Sequence, residues 1–432
     1  MRSLRVCFAL FALAAAPAAA DETCQSPYLP KVTGQEDYLY VWTLGVEGLG
    51  DGSDKLVTVG VNPARSSEYG KVISSVSVGG RHEAHHSGFT DDRRQLWAGG
   101  LDDSAIFVFD VGSDPAHPKL VRTVTDFVAK TGGVVGPHTF YALPGRVLIT
   151  GLSNAQDLGG RTGIAEFAND GGFVRTVWMP KGAEYGYDAR VNPHLNRMLS
   201  SSFTGHKNYM RKLPELMGDA EAMKHFGSTM VVWDFHARKP LQTLAVPGAP
   251  LEIRWALHPR HEYAFTSTAL TAKLWGVFHK PDGSFEAVEI GDVGDPAKLP
   301  LPVDISLSAD DSTLFVDSFM DGTVRVYDVT NPRRARQIYE RKIGAQLNMV
   351  SQSWDGKRLY FTSSLLANWD GTGGNDEQFL RAFTWDGTSL APAFSVDFRA
   401  AALGRPHIMH LGSLGLAAAR GGASGAPAGA AR

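Results

Sequence analysis

Thr90-Asp-Asp-Arg-Arg-Gln-Leu-Trp97 carries a pattern that returns twice, as Ala309-Asp-Asp-Ser-Thr-Leu-Phe-Val316 and as Trp354-Asp-Gly-Lys-Arg-Leu-Tyr-Phe361. In each stretch an acidic turn leads into a strand of apolar and aromatic residues. Looser copies begin at Asn192 and His258. Alternating apolar and polar positions with many β-branched and aromatic residues are typical of half-buried β-strands. The repetition therefore predicts an all-β chain built from similar units.

A second pattern follows the first in several units: Ile106-Phe-Val-Phe-Asp110, Met230-Val-Val-Trp-Asp234 and Val324-Arg-Val-Tyr-Asp328. Each apolar strand ends at an aspartate that opens a turn, and a further strand follows the turn. An aspartate side chain accepts hydrogen bonds from the backbone amides of the turn that it opens. We therefore predict structural rather than catalytic roles for these three aspartates.

The units begin near residues 38, 88, 138, 190, 256, 304 and 351. Their spacing is close to that of propeller blades, which are roughly 40–50 residues long. A helix-favouring stretch, residues 209–225, interrupts the fourth unit. The sequence therefore predicts a seven-bladed β-propeller with a short helical insertion in its fourth blade. In such a fold the inner strands of all blades converge on one axis.

The first twenty residues have the order of parts of a secretory signal peptide. Arg2 and Arg5 precede an apolar run that is too short to span a bilayer, and the run leads to an alanine-rich cleavage site after Ala20. We expect export, which in a bacterium leads to the periplasm, and one propeller domain over residues 21–416. Residues 417–432 are rich in alanine and glycine and are predicted to form a disordered tail.

The composition excludes several classes of protein. The chain has 432 residues, of which 43% are hydrophobic, and a formal net charge of −3, so it can bury a large core and shows no basic excess for nucleic acid. No membrane span follows the signal. The cysteines are Cys7, which leaves with the signal, and Cys24, so no internal disulfide is expected. The role of Cys24 stays open.

Histidines supply the candidate metal ligands. His85 and His86 are adjacent, His138 follows a Gly-Pro pair, and His410 lies near the end of the last unit, where His407 is an alternative ligand. Neutral imidazole is a common ligand for copper and zinc. The predicted propeller brings blades two, three and seven to one axis, so we expect these histidines to meet there. Such a site suits copper or zinc, and calcium in the acidic loops stays open.

Three charged residues lie on predicted inner strands, Glu252 and Arg254 in the fifth blade and Asp304 in the sixth. Two roles are open for them, because they can line the axial channel or form a structural ion pair. Glu83, close to the paired histidines, is expected to be exposed. Met349 is expected to pack in the core rather than to act as a soft metal ligand.

Several motifs together resemble the selenium-binding protein family. They are Glu83-Ala-His-His-Ser-Gly88, the run from Ile106 through Asp-Val-Gly-Ser-Asp-Pro to Leu120, Leu251-Glu-Ile-Arg254, Val303-Asp-Ile-Ser-Leu-Ser-Ala-Asp-Asp311 and Asp328-Val-Thr-Asn-Pro332. They occur in the family's order, and the resemblance covers about residues 37–410. It implies a propeller and, for the bacterial methanethiol oxidases of the family, a copper centre. The family's histidines fall on His85, His86, His138 and His410.

The resemblance also implies an activity. Methanethiol, dioxygen and water would give formaldehyde, hydrogen sulfide and hydrogen peroxide, so the expected partners are a small thiol and dioxygen. Whether a copper chaperone loads the site stays open. The cysteine that holds selenium in animal relatives is absent around Gly70, so selenium binding through that thiol is not implied. Two alternatives remain, a non-catalytic propeller that binds selenium, metal or a protein in the cell envelope, and a zinc hydrolase.

Overall fold

A computed structural model of the chain describes residues 25–30, 32, 34–156, 161–183 and 185–415. The predicted signal peptide, both cysteines and the predicted tail lie outside these residues. Within them the strands are β1 (Tyr38–Leu44), β2 (Lys55–Gly60), β3 (Val72–Ser77), β4 (Ala84–Phe89), β5 (Gln95–Gly100), β6 (Ile106–Asp110), β7 (Lys119–Val124), β8 (Val134–Leu143), β9 (Arg146–Asn154), β10 (Gly163–Ala168), β11 (Phe173–Trp178), β12 (Ala189–Asn192), β13 (Arg197–Ser200), β14 (Thr229–Asp234), β15 (Lys239–Ala245), β16 (Pro250–Trp255), β17 (Tyr263–Thr268), β18 (Lys273–His279), β19 (Phe285–Asp292), β20 (Pro302–Leu307), β21 (Thr313–Ser318), β22 (Thr323–Asp328), β23 (Arg336–Lys342), β24 (Met349–Gln352), β25 (Arg358–Thr362), β26 (Phe379–Trp385), β27 (Leu390–Asp397) and β28 (Arg405–Gly412).

These strands form seven antiparallel sheets of four strands each, which are the blades of the predicted propeller. Six blades follow the chain, from β4–β7 through β8–β11, β12–β15, β16–β19 and β20–β23 to β24–β27. The inner strands β4, β8, β12, β16, β20, β24 and β28 contact one another in a closed ring around the axis. The seven-bladed architecture is therefore confirmed.

The first blade closes the ring with strands from both parts of the chain. Its strand order is β28-β1-β2-β3, so the C-terminal strand β28 supplies the inner edge and pairs with β1, where His410 lies opposite Tyr40. The assignment of His407 and His410 to the seventh blade was wrong, because β28 crosses over to complete the first. His407 and His410 still lie on an inner strand next to the axis, as the predicted metal site requires.

Helices are few and short in the described part of the chain. They are α1 (Phe127–Thr131), α2 (His206–Tyr209), α3 (Leu213–Met217), α4 (Ala220–Met223) and a 3-10 helix (Pro296–Lys298). The last three α-helices lie between β13 and β14, which confirms the insertion in the fourth blade. No helix among the described residues has the length and apolar character needed to cross a membrane.

Blades are held together by apolar side chains between neighbouring sheets. Trp97 and Val108 of the second blade pack with Phe140 and Val147 of the third in one buried cluster. Inner and middle strands are buried on both faces because a blade lies on each side of them, while the outer strand β7 alternates between exposed and half-buried positions. This accounts for the apolar runs in the middle strands of each unit.

The aspartates at the ends of the third strands stabilise turns as predicted. Asp110 Oδ1 accepts hydrogen bonds from the amides of Gly112 and Ser113, both at 3.0 Å. Asp234 and Asp328 make the same kind of bond to the amides of residues 237 and 330. Turn chemistry thus explains these three residues, and none of them lies on an inner strand.

Candidate metal centre

Four histidine rings meet on the axis of the propeller. His85 and His86 lie on β4, His138 on β8 and His407 on β28, and all four are buried. The ring centroids of His85 and His407 are 3.8 Å apart, those of His86 and His138 are 3.9 Å apart, and those of His85 and His86 are 5.0 Å apart. Three strands of three different blades thus bring four imidazoles together on the axis.

Irregular strand pairing explains how adjacent residues reach the same axis. In a regular strand successive side chains point to opposite faces. The pairing of β4 with β5 shifts register between Ala84 and Ser87, which spans the histidine pair. Similar shifts occur in β8 between Pro137 and Phe140, and in β28 where the partners move from Pro406 to Met409. A β-bulge re-aims a side chain, so each histidine lies where the inner strand is bulged.

Each of three imidazoles has a buried nitrogen without a hydrogen-bond partner. The atoms are His85 Nδ1, His86 Nε2 and His138 Nε2. A buried polar atom left unpaired is costly, and bound metal would give such nitrogens a partner. Burial lowers the pKa of His138 to about 3 and holds the pKa values of His85 and His86 well below their usual range. The rings are therefore neutral at pH 7, as metal ligands must be.

Two overlapping sets of donor atoms have the spacing of a metal site. Ligand atoms of His85, His86 and His407 lie within 4.8 Å of one another, and so do those of His86, His138 and Glu252. Glu252 Oε1 is buried without a hydrogen bond and lies 3.7 Å from His86 Nε2. Imidazoles with one carboxylate and no thiolate suit copper(II) or zinc.

His410 lies outside both sets. Its Nε2 donates to the carbonyl oxygen of Ser87 at 2.9 Å, and its Nδ1 accepts from Gln25 Nε2 at 2.7 Å. Both ring nitrogens thus have protein partners, and burial lowers the pKa of His410 to about 4. His407, the alternative on the same strand, lies against His85 instead. The assignment of His410 as a ligand stays a prediction, and the geometry favours His407.

A buried ion-pair network borders the histidines. Arg254 Nη1 donates to Glu252 Oε2 at 2.9 Å and its Nη2 to Asp304 Oδ1 at 2.7 Å. Arg190 Nη2 donates to the same Glu252 oxygen at 3.0 Å, and Arg190 Nε donates to Asp188 at 2.8 Å. The three charged residues singled out in the sequence therefore form one ion-pair network. Asp188 and Arg190 were missed, because a single acid or base on a strand carries no signal of its own.

Burial and ion pairing shift the pKa values of the two carboxylates Glu252 and Asp304 in opposite directions. Burial raises the pKa of Asp304 to about 7, although the Arg254 guanidinium opposes that rise. Burial acts on Glu252 in the same direction, but Arg254 and Arg190 outweigh it and lower the pKa of Glu252. Glu252 is therefore an ionised carboxylate that faces the histidines, while burial makes Asp304 the easier of the two carboxylates to protonate.

A polar compartment, lined by His86, Ser87, Arg190, Glu252 and Arg254, lies on one side of the histidines. Its volume is about 20 Å³, which is enough for one water molecule. Gln25, Ser26, Tyr141 and Arg190 line both this compartment and an outer cleft of about 580 Å³. The polar compartment therefore adjoins the outer cleft at this end of the axis.

An apolar chamber, also of about 20 Å³, lies on the other side, against His85. Its wall includes Leu101, Leu251, Phe203 and Leu366. The helical insertion and the loop between β25 and β26 cover it. Trp369 of that loop lines the chamber and donates from Nε1 to the carbonyl oxygen of residue 211 in the insertion at 3.1 Å.

Glu83 is buried, which corrects the expectation that it is exposed. It has a left-handed backbone with φ of 61°, and its Oε1 accepts a hydrogen bond from the Ala367 amide at 2.7 Å. Burial raises the pKa of Glu83 to about 8. The side chain ties the strand that carries His85 to the loop that covers the chamber. Met349 lies in the core as expected and also lines the polar compartment.

The fold and the axial imidazoles define a β-propeller with a candidate metal centre on its axis. The chain belongs to the 56 kDa selenium-binding protein family, whose sequence model matches residues 18–411. It is 55% identical over 411 residues to a methanethiol oxidase of Ruegeria pomeroyi, covering 92% of this chain and 94% of that protein. It is 55% identical over 398 residues to a methanethiol oxidase of Hyphomicrobium, covering 91% of each chain.

A solved structure shares the fold. A selenium-binding protein from Sulfolobus tokodaii superimposes with a TM-score of 0.79 at 24% sequence identity, covering 90% of this chain and 97% of that one. At this identity the likeness supports the propeller architecture alone.

Proposed function

We propose that this chain is a copper-dependent oxidase of methanethiol. The reaction converts methanethiol, dioxygen and water to formaldehyde, hydrogen sulfide and hydrogen peroxide, so that the carbon is oxidised and dioxygen is reduced by two electrons. Relatives named methanethiol oxidases, at 55% identity over most of the chain, support oxidation of a thiol. The observation that carries the metal is the set of three buried imidazole nitrogens without partners.

His85, His86, His138 and His407 would hold the metal, with Glu252 beside them. Copper bound there supplies one-electron redox chemistry and a soft partner for the thiolate sulfur, which zinc would not combine. The chain's own contribution begins with the protonation state of the ligands. Because burial keeps the imidazoles neutral at pH 7, their lone pairs are available without prior loss of a proton.

The polar compartment has room for a water molecule and contains a carboxylate that can hold a proton. Glu252 is held by Arg190 and Arg254 through its Oε2, which leaves Oε1 facing His86. We assign Oε1 to hold the proton that is released as water adds to the oxidised carbon. A carboxylate fixed by two guanidinium groups keeps this position without reorganising. Asp304 accepts a hydrogen bond from Arg254 and so helps to hold that guanidinium against Glu252.

Export to the periplasm belongs to the same proposal. Its support is the basic, apolar and alanine-rich order of the first twenty residues. An exported copper oxidase would meet its volatile thiol and dioxygen outside the cytoplasm. Determination of the N-terminus of protein from a periplasmic extract tests this directly, since cleavage after Ala20 predicts a mature chain that begins at Asp21.

Product stoichiometry tests the function. Copper-loaded protein should release formaldehyde, sulfide and peroxide in equal amounts from methanethiol, and His86→Ala should abolish the release. His117→Ala is the matched control, because this histidine is 62% exposed and far from the axis in the second blade's outer turn. Full copper content without any product would contradict the oxidase and favour a propeller that only binds metal.

A further inference from the structure

The apolar chamber differs from the polar compartment in what it offers a ligand. Tyr209 Oη donates to the carbonyl oxygen of Leu101 at 3.3 Å, and Trp369 Nε1 donates to a backbone carbonyl, so these polar atoms are engaged in the wall. Leucine side chains form much of the remaining surface. A wall of this kind stabilises an alkyl group. It offers few hydrogen bonds to replace the water that a charged or polar group would lose on entry.

The position of the chamber connects it to the histidines. His85 is part of its wall, and the ring of Tyr187, another wall residue, lies 3.9 Å from the ring of His138. A small molecule with its sulfur among the imidazoles would therefore direct its carbon group into the chamber. The polar compartment begins at His86, the next residue along β4, and takes up the opposite side.

The size of the chamber sets a limit on that carbon group. Its volume of about 20 Å³ has room for one group of the size of water or methyl. The wall is fixed by packing and by the cover, where Asn368 Nδ2 donates to the carbonyl oxygen of Met210 at 2.6 Å. A close-packed interior accommodates an added methylene only by displacing side chains.

We propose that the apolar chamber receives the carbon group of the thiol substrate and restricts that group to a single carbon. The inference rests on the proposed function and adds the basis of substrate selection. Leu366 and Leu251, on the cover and on β16, are the residues that set the limit. The helical insertion acts as the fixed roof of the chamber through Tyr209.

Enlarging the chamber tests the proposal. For wild-type, copper-loaded protein we expect kcat/KM for methanethiol to exceed that for ethanethiol by about 10-fold or more, since one methylene in a pocket is worth roughly 10–200-fold. Leu366→Ala should reduce this preference by about 10-fold. Leu314→Ala is the matched control, because Leu314 is equally buried but lies in the sixth blade's core away from the axis. The Leu314→Ala variant should prefer methanethiol over ethanethiol by the same factor as wild type.

Binding without turnover separates this inference from the proposed function. Zinc-loaded protein has no redox step, so the Kd values of methanethiol and ethanethiol can be measured directly by titration calorimetry. Their ratio should shift toward ethanethiol in Leu366→Ala, by the same factor as the kinetics. If wild type shows this selective binding but no oxidation, the proposed function fails and the chamber assignment stands.

Other outcomes overturn the chamber assignment. An unchanged thiol preference in Leu366→Ala would do so, as would a change confined to KM for dioxygen, which would make the chamber the oxygen site. Absence of binding of either thiol to wild type would also overturn it. If Leu366→Ala does not fold, Leu251→Ala enlarges the same chamber, and the ratio of its kcat/KM values for the two thiols then decides the question.

Discussion

At the residue scale, the axial imidazoles are an unusual use of histidine. Each gives up hydration on burial, and three of them leave a ring nitrogen without a hydrogen bond. Such atoms in a native interior need a partner that the protein itself does not supply. The cluster is therefore better suited to holding a metal ion than to packing alone.

Replacing His407 and His410 one at a time should show which of the two binds the metal. His407→Ala removes a ring that lies 3.8 Å from His85, and we expect the affinity for copper to fall by at least about 100-fold. His410→Ala removes a ring held by Gln25 and Ser87, and we expect a change below about 10-fold. Competition with a chelator of known affinity measures both. The reverse order would restore His410 as the ligand.

The pH dependence of stability should report Asp54. Its carboxylate is buried and accepts bonds from the amides of Gly45 and His82, and burial raises its pKa to about 6. The folded state therefore keeps a proton that the unfolded state loses near pH 4. The stability that protonated Asp54 contributes is fully present below pH 4 and is lost as the pH rises through 6. The free energy of unfolding therefore falls by about 3 kcal/mol over this range.

Asp54→Asn removes this titration. The free energy of unfolding of the variant, minus that of wild type, should rise by about 3 kcal/mol between pH 4 and pH 7. Urea unfolding at a series of pH values measures the difference. Parallel curves for the two proteins would show that the pKa of Asp54 does not change on folding.

The candidate ligands are visible in the sequence as residue types, but the choice between His407 and His410 is not. Adjacent imidazoles at 85 and 86 and a lone one at 138 are visible as residue types. The choice between His407 and His410 depends on which face of β28 meets the axis, and this is set by pairing with β1, a strand about 365 residues earlier in the chain. Burial of Glu83 likewise depends on a distant loop, through Ala367.

At the element scale, bulged inner strands do the positioning. Register shifts in β4, β8 and β28 coincide with the histidines, and those in β16 and β20 coincide with Glu252 and Asp304. Alternation of apolar and polar residues predicts a strand but not a bulge, because one extra residue leaves the pattern almost unchanged. The strands and the insertion were therefore predictable, but the orientation of their side chains toward the axis was not.

Gly136 should be required for the fit of the helical insertion. It has a φ of 66°, and a Cβ there would lie 2.9 Å from Tyr209 Oη and 3.2 Å from Leu152 Cβ. Gly136→Ala should cost about 1–2 kcal/mol for the backbone and roughly 1–3 kcal/mol more for overpacking. Gly145→Ala is the control, because Gly145 has a φ of 69° and nothing within 4 Å of such a Cβ.

Thermal unfolding of the single variants and of a double variant measures the cost of overpacking. The melting temperature of Gly136→Ala should lie below that of Gly145→Ala, and adding Tyr209→Phe should recover part of the difference by removing the contacted oxygen. Equal melting temperatures for the two alanine variants would mean that the insertion adapts without cost.

At the scale of the whole molecule, the metal site and the closure of the ring coincide. Strand β28 completes the first blade and carries His407, while β4 and β8 belong to the second and third. A metal held by all three strands would link the two ends of the propeller. Repeats in the sequence predict the number of blades, but pairing between distant chain segments leaves no local signature, so the closure could not be predicted.

Removal of the metal should therefore lower global stability. A ligand present at 1,000 times its Kd stabilises the folded state by about 4 kcal/mol. We expect chelation to lower the melting temperature by several degrees, and copper to restore it. His138→Ala should show neither change. A wild-type melting temperature that is indifferent to chelation would exclude a metal that bridges blades.

The metal content of protein purified from cells grown with both copper and zinc shows whether the axial imidazoles bind copper. We expect near-stoichiometric copper in wild type and its loss in His85→Ala, with the fold intact by circular dichroism. Folded wild-type protein that stays free of metal after exposure to copper would contradict the claim that the axial imidazoles form a metal centre.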